Sequence, residues 1–592
     1  MNEAMTIKPV DLHRLERDDR ADALKLGFAG ALEQEAGFTR LSPDVRQKVI
    51  DVLRPVAKMR FESRQGFENV VKALLESIAP ELGRYVGVAM DNAAESISKD
   101  RGVLVVYTGG TIGSAPKDPR DPDSPQVVRP WGELKAALPN LGTLGYPVDA
   151  ISFVEPLDSC NVGPSHWYTI CQIIQKHYND YEGFVILHGT DSMAYTSSAL
   201  AFMLQGLSKP VVLTGSQVAG IVNARNDAHQ NVITAIQLAN AKAHGLPVIP
   251  EVIIAFGNLI SRGCRSKKIN VVGYQGFRSP NYPLLGEAGE FITIERKHVR
   301  RLPNTELAVL DRLEPNVIMV EVFPGMQNSP ILKNILSDES LKGVVLKSYG
   351  AGNIPTDPAF LNLFKQFIDR GGVVVNVTSV PQGEVVMGLY ETSQVLLDIG
   401  IIGGFDLIPE AALAKLQVLL GNFGDDVEQV KRLMQQSIAG EQRLSLKVTH
   451  IWSKGELTAS MPSMTLPKAE LDSVVDPESI EKIMLRFKTV QLSPGAEERA
   501  VVRLSLDHDG REDRLGEYRR GRVPEHALVK GGEIGESLAI DLTSYKNLFV
   551  ARESSGPIVI KQRVAFKVEL AGDAGASFSW ADAELNIYYA DD

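Results

Sequence analysis

The repeat of apolar positions changes character twice along the 592 residues. Before about residue 100 the spacing is helical. Ser42-Pro43-Asp44 supplies an N-cap followed by a proline suited to a first helical turn, and Val45, Val49, Val52 and Leu53 then return on one face. A second stretch of this kind runs through Phe67, Val70, Val71, Leu74, Leu75 and Ile78. Two or three short helices bury too little to stand alone, so residues 1–100 read as a helical extension that packs on something else. From Gly102 short continuous apolar runs take over: Val103–Tyr107, Phe184–His188, Val211–Thr214 and Val252–Phe256. Helical patterns at Ser165–His177 and Ser197–Leu207 lie between them. Continuous apolarity suits strands covered on both faces, and strand–helix alternation predicts a parallel α/β sheet. A second series, Val317–Val322, Gly343–Ser348 and Gly372–Val377 with a helix at Pro358–Asp369, predicts a smaller lobe ending near residue 440. Beyond that point Leu444–Ile451, Ile483–Leu492, Ala500–Leu506, Leu538–Asp541, Ile558–Glu569 and Glu584–Tyr589 read as strands of an antiparallel sandwich.

These patterns predict an α/β core of two lobes, 101–305 and 306–440, after a helical extension and before a β-rich domain at 441–592. The length alone requires more than one core. No apolar run reaches the ~20 residues of a membrane-spanning helix. The N-terminus, MNEAMTIKPVDLHRLERDD, carries acids where a signal peptide needs its apolar core, which reads as a chain that stays inside the cell. Cys160, Cys171 and Cys264 are too few for a disulfide framework and fit a reducing cytoplasm. A net charge of −11 argues against a nucleic-acid partner, and the basic run Arg519–Arg522 reads as a solvated loop.

Ligands of open parallel sheets bind beyond the carboxyl ends of the strands, so the polar residues there come first. After Val103–Tyr107 stands Thr108-Gly109-Gly110-Thr111. Paired glycines let backbone amides approach a ligand, and Thr111 is a candidate nucleophile; a tight strand-to-helix turn is the alternative. After Phe184–Leu187 stands His188-Gly189-Thr190-Asp191-Ser192. Its carboxylate and hydroxyl suit a substrate ammonium and a proton relay, although Thr190 or Asp191 would equally cap the following helix. His188 invites a general-base role but reads better as structural. Leu157-Asp158-Ser159-Cys160-Asn161, with Arg265, Lys267 and Lys268 further along, form the third group. A partly desolvated lysine can activate a hydroxyl, whereas most lysines are solvated. The chain has no C-x-x-C, H-E-x-x-H or G-x-S-x-G segment, so neither a metal nor a serine elbow is indicated.

Taken together, VLVVYTGGTIGS at 103–114 and GFVILHGTDSMAYTSSAL at 183–200 resemble the two signatures of the bacterial-type L-asparaginase family, closest to its cytoplasmic type I branch. VVLTGSQ at 211–217, RSPNYPLL at 278–285, LKSYGAGNIP at 346–355 and GGVVVN at 371–376 extend the resemblance over roughly 100–440. It implies an asparaginase-like two-lobed parallel-sheet core. It also implies hydrolysis of L-asparagine to aspartate and ammonia through a covalent acyl-enzyme, without cofactor or metal, in a dimer or tetramer. Residue by residue, Thr111 matches the nucleophile, and Thr190, Asp191 and Lys268 match the threonine–lysine–aspartate relay. Gly110, Asp158, Ser159, Cys160, Thr190 and Asp191 match the substrate pocket.

The family's mobile loop carries a tyrosine over the nucleophile. Here the loop reads APKDPRDPDSPQVVRP, with Val127 at the tyrosine's position and Tyr146 a candidate to take its place. Two other readings share the resemblance: an asparaginase-like sensor or scaffold with little turnover, and the asparaginase-like subunit of a tRNA amidotransferase. The second would carry a small β domain rather than helices at its N-terminus.

Overall fold

A computed structural model describes Val88–Asp91 and residues 102–590, apart from short internal stretches of which 508–535 is the longest. The helical expectations at 42–53 and 67–78 and the basic run Arg519–Arg522 lie outside the described residues. Within the first hundred residues Val88–Asp91 forms a strand, where a helix was expected. The chain divides into two compact units. The first runs to Pro315, except that Cys264–Lys267 and Ser279–Pro283 join the second.

The first unit is built on nine strands: β1 (Val88–Asp91), β2 (Val103–Gly109), β3 (Val148–Leu157), β4 (Gly183–Leu187), β5 (Val211–Thr214), β6 (Val252–Phe256), β7 (Leu259–Arg262), β8 (Gly286–Ala288) and β9 (Ile292–Ile294). Their order is β1-β3-β2-β4-β5-β6-β7-β8-β9. The pairs from β3 through β6 are parallel, while β1 and the β7–β9 meander are antiparallel, so the sheet is mixed. β2, β4, β5 and β6 are buried at every position, which is why their sequences are continuously apolar. Around them pack α1 (Pro164–His177), α2 (Met193–Met203) and α3 (Ala228–Ala239). The helix expected at Ser197–Leu207 begins and ends four residues earlier, and Leu204–Gln205 instead pairs as a short strand with Ala308–Val309.

β3 escaped the apolar pattern because Asp149 and Ser152 interrupt it. Both stay partly exposed, and the Tyr181 hydroxyl donates to Asp149 at 2.9 Å.

The second unit contains a four-stranded parallel sheet in the order β10 (Val317–Glu321), β11 (Gly343–Ser348), β12 (Val373–Thr378), β13 (Ile402–Gly403). α4 (Pro358–Asp369) buries Phe360, Leu361, Phe364 and Phe367 at helical spacing against Leu346 and Val374, and Asp357 caps it through the Phe360 amide at 3.0 Å.

Beyond Leu444 all strand pairings are antiparallel. A six-stranded sheet is centred on Ile480–Ser493 and Asp582–Ala590, and a four-stranded sheet on Arg563–Gly572. Trp452 of the first meets Phe566 of the second edge-on at 5.7 Å, the contact expected of a sandwich. The strand expected at Ile558–Glu569 is two strands, Ile558–Ile560 and Arg563–Gly572.

The β-rich part is fused to the smaller lobe through buried charge. Lys415, midway along α5 (Pro409–Phe423), meets Glu441 at 2.5 Å with both side chains fully buried. Lys415 Nζ also donates to the carbonyls of Met434 and Gln436, and Glu441 accepts from the amides of Ile438 and Ala439. Burial alone would raise the Glu441 carboxyl, but Lys415 and the Ala439 amide hold it below the usual carboxylate range. Removing one partner strands the other charge in the core, so Lys415→Met should cost about 3–5 kcal/mol of stability. The double variant Lys415→Met, Glu441→Leu should recover most of it. Urea unfolding of the three proteins measures both, and a single variant as stable as the parent would refute the coupling.

Candidate active site

The site starts where β2 ends. Gly109 and Gly110 take φ 123° and 88°, a region in which other residues are strained. The end of β2 is pinned on both sides. Gly110 N donates to Leu157 O at 2.8 Å on the β3 side, and Thr108 Oγ1 donates to Leu187 O at 3.0 Å on the β4 side. A Cβ on Gly110 would lie 2.3 Å from Cα and N of Gly189, so the two signature turns touch backbone to backbone. Thr111 then opens a single 3-10 turn, Thr111–Gly113, and Ser114 Oγ donates back to Gly110 O at 3.2 Å.

The turn after β4 brings the second group together. Lys268 Nζ lies 2.7 Å from both Thr190 Oγ1 and Asp191 Oδ1. α2 takes Ser192 as its N-cap without a side-chain hydrogen bond. Thr190 and Asp191 therefore do not cap it; their side chains go to the lysine. Thr190 is 5% exposed, whereas the Asp191 side chain is 65% exposed and open to a ligand. Ser159 is buried, and its hydroxyl accepts the Asp191 amide at 3.2 Å, so it positions the relay from behind. Asp158 caps the short turn Ser159–Asn161 through the Cys160 amide at 3.2 Å, and thus fills the capping role as well as facing the cavity. Cys160 is exposed and is not among the cavity-lining residues; desolvation and the nearby Asp158 and Asp191 carboxylates push its thiol up.

A cavity of about 700 Å³ is lined by Thr111, Ser114, Gln126, Val127, Val128, Pro156, Leu157, Asp158, Asn161, Gln217, Val218, Ala219 and Asn223. Among the described residues the Thr111 hydroxyl makes no side-chain hydrogen bond, and the Lys268 bonds stop at Thr190 and Asp191. Val127 lies in a short hairpin, Ser114–Pro116 with Gln126–Val128, that contributes to the cavity wall at the family loop's position. Tyr146 does not take the tyrosine's place: its hydroxyl bonds His244 Nε2 at 2.8 Å, and it does not line the cavity. Asn161, part of the third candidate group, lines the cavity, whereas Ser114, Gln217 and Asn223 were not singled out as site residues. Gln217 stands inside the VVLTGSQ segment just past β5, the position that marked the other groups. Among the described residues no cluster of His, Cys, Asp or Glu is arranged to hold a metal.

A model of the asparaginase N-terminal domain matches residues 102–300, and one of the glutaminase/asparaginase C-terminal domain matches 316–434. L-asparaginase 1 of Escherichia coli is 39% identical over 347 residues, covering 58% of this chain and 98% of that protein. The chain belongs to the asparaginase family. The family core is also 35% identical to the 60 kDa lysophospholipase of Mus musculus, over 59% of this chain and 64% of that one. The crystal structure of L-asparaginase I from Vibrio cholerae superposes with a TM-score of 0.51 at 35% identity, covering 58% of this chain and 99% of the other. The asparaginase core is thus complete, and the family models leave residues 435–592 unmatched. No described helix is long and apolar enough to cross a membrane.

His188 of this asparaginase-family site is fully buried. Trp167 Nε1 donates to Thr196 Oγ1 at 2.9 Å, Thr196 Oγ1 lies 3.0 Å from His188 Nε2, and His188 Nδ1 lies 2.7 Å from Gly189 O. With Nδ1–H donating to that carbonyl, Nε2 is the acceptor and the ring is neutral. Burial pulls its pKa down from 6.5 to about 4. The unfolded chain therefore takes up this proton first as pH falls. The stabilisation is whole above about pH 6.5 and is lost progressively down to about pH 4, with a slope of up to ~1.4 kcal/mol per pH unit. Chemical denaturation across that window should show a shallower pH slope for His188→Gln than for the parent. Equal slopes would mean that His188 is not held neutral.

Proposed function

We propose that the chain is an L-asparaginase-type amidohydrolase, converting L-asparagine and water to L-aspartate and ammonia through an acyl-enzyme on Thr111. The observation that carries this reading is the relay itself: Lys268 Nζ at 2.7 Å from both Thr190 Oγ1 and Asp191 Oδ1. Its strand turn touches, through Gly189, the turn that carries Thr111. A threonine hydroxyl is a weak nucleophile at neutral pH and needs a proton acceptor and a nearby positive charge. Thr190 and Lys268 supply the path for its proton, and Asp191 fixes the lysine's position. The remaining oxygen of the exposed Asp191 carboxylate, with Asp158 at the cavity wall, suits the α-ammonium of a free amino acid.

Thr111 Oγ attacks the side-chain carboxamide carbon, the nitrogen leaves as ammonia with the relayed proton, and water hydrolyses the ester. We read Lys268 as a residue of the reaction rather than a surface charge because its side chain is only 17% exposed and is spent on these two partners.

An ammonia-release assay with asparagine, glutamine and D-asparagine tests the reading. Thr111→Ala should keep the circular dichroism of the parent while its kcat on asparagine falls at least ~10³-fold. Full activity in that variant would remove Thr111 from the mechanism. Glutamine, one methylene longer, should be discriminated by only ~1–3 kcal/mol. We further propose that the enzyme works as a homo-oligomer in the cytoplasm, as the type I resemblance implies. Light scattering coupled to size exclusion should give a dimer or tetramer, and a monomer mass at assay concentration would reject that assembly.

A further inference from the structure

We propose that the Thr111 cavity accepts secondary amides, in which the leaving nitrogen carries an aliphatic substituent, so that the enzyme releases primary amines as well as ammonia. This rests on the amidohydrolase reading above and concerns the substrate class of the same site.

The first support is size. A cavity of about 700 Å³ falls within the ~300–1,000 Å³ that encloses drug-sized ligands, well beyond what a free amino acid fills. The second is the chemistry of its wall. Val127 and Val128 contribute from the hairpin, Leu157 from the end of β3, and Val218 and Ala219 from the loop after β5. The rest of the wall is polar, Thr111, Ser114, Asp158 and Gln217 among it, so these aliphatic side chains form one part of the wall, against which an alkyl group on the leaving nitrogen would bury.

The third is that the roof is fastened. Ser114, Ala115 and Pro116 pair with Val128, Val127 and Gln126. Arg129 N donates to Gly113 O at 2.8 Å, the Tyr107 hydroxyl donates to Arg129 O at 2.7 Å, and Arg129 Nη2 donates to Pro116 O. Lys117 N closes the far end on Pro125 O at 2.9 Å. Strands tied at these points hold their place, unlike a loose loop that folds down on a small substrate. Val127, with no polar group, offers that substrate only bulk.

The chemistry balances as for the primary amide. Thr111 Oγ forms an ester with the acyl carbon as the C–N bond breaks. The nitrogen leaves as the amine with the threonine's proton, passed through Thr190 and Lys268. Water then adds hydroxyl to the carbon and returns a proton to Thr111.

The test compares L-asparagine with N4-butyl-L-asparagine on the full chain, measuring ammonia and butylamine. The expected result is a kcat/KM for the butylamide within ~10-fold of that for asparagine. Val127→Phe and Val127→Tyr, which fill the roof, should each lower the butylamide-to-asparagine ratio at least ~10-fold. Turnover of asparagine with the butylamide more than ~10-fold poorer overturns the proposal and leaves the amidohydrolase reading standing. An unchanged ratio in the filled variants overturns it too. If neither substrate is turned over, the amidohydrolase reading itself falls. Should the variants fail to fold, the ratio in the parent protein decides alone.

Discussion

Parallel strands β2 and β4 arrive side by side, Tyr107 opposite Leu187, and both must turn at once without a side chain between them. The turns meet at Gly110 and Gly189, where a single added methyl group would overlap backbone atoms at 2.3 Å. Thr111 follows one glycine and Thr190 follows the other, so the separation of the two turns is set by backbone packing rather than by flexible side chains. The Leu157 and Leu187 carbonyls, each holding one side of β2's end, stop the turn from swinging. Preorganisation of this kind is what lets a hydroxyl react without first being driven into position.

Around the contact, polar groups divide by exposure. His188 and Thr196 lie fully buried and settle into a neutral chain that ends on the Gly189 carbonyl. Ser159, equally hidden, supports the Asp191 amide. Charge appears only farther out, where Lys268 and Asp191 face one another and the carboxylate remains open to solvent. Neutral hydrogen bonds at the rear and ions at the front avoid the desolvation that a buried ion pair incurs.

Much of this was readable from residue order. β2, β4, β5 and β6 are covered on both faces, so their apolar runs are uninterrupted, and the polar residues just beyond them mark the site. Lys268 was one basic residue among several near the third group, and its pairing with Thr190 and Asp191 came from the resemblance, because nothing local distinguishes such a lysine from a solvated one. β3 was invisible for the opposite reason: its partly exposed residues include Asp149, satisfied by Tyr181 from a distant segment. Gln217 and Asn223 were missed since a carboxamide after a strand carries no chemistry by itself. Whether Thr190 and Asp191 cap the following helix was decided only in three dimensions, where Ser192 occupies the cap and both side chains bond Lys268.

The buried Lys415–Glu441 pair bears on where this chain can be cut. The family resemblance stops at residue 434, which invites trimming there to obtain a minimal enzyme. Such a fragment would keep Lys415 in the middle of α5 and discard Glu441, the carboxylate 2.5 Å from it, together with the Gln436 carbonyl. A buried ammonium would then have lost that carboxylate, and the Met434 carbonyl it bonds would lie at the new chain end. The domain border drawn by sequence similarity and the border at which the protein is electrically self-sufficient are different places, several residues apart.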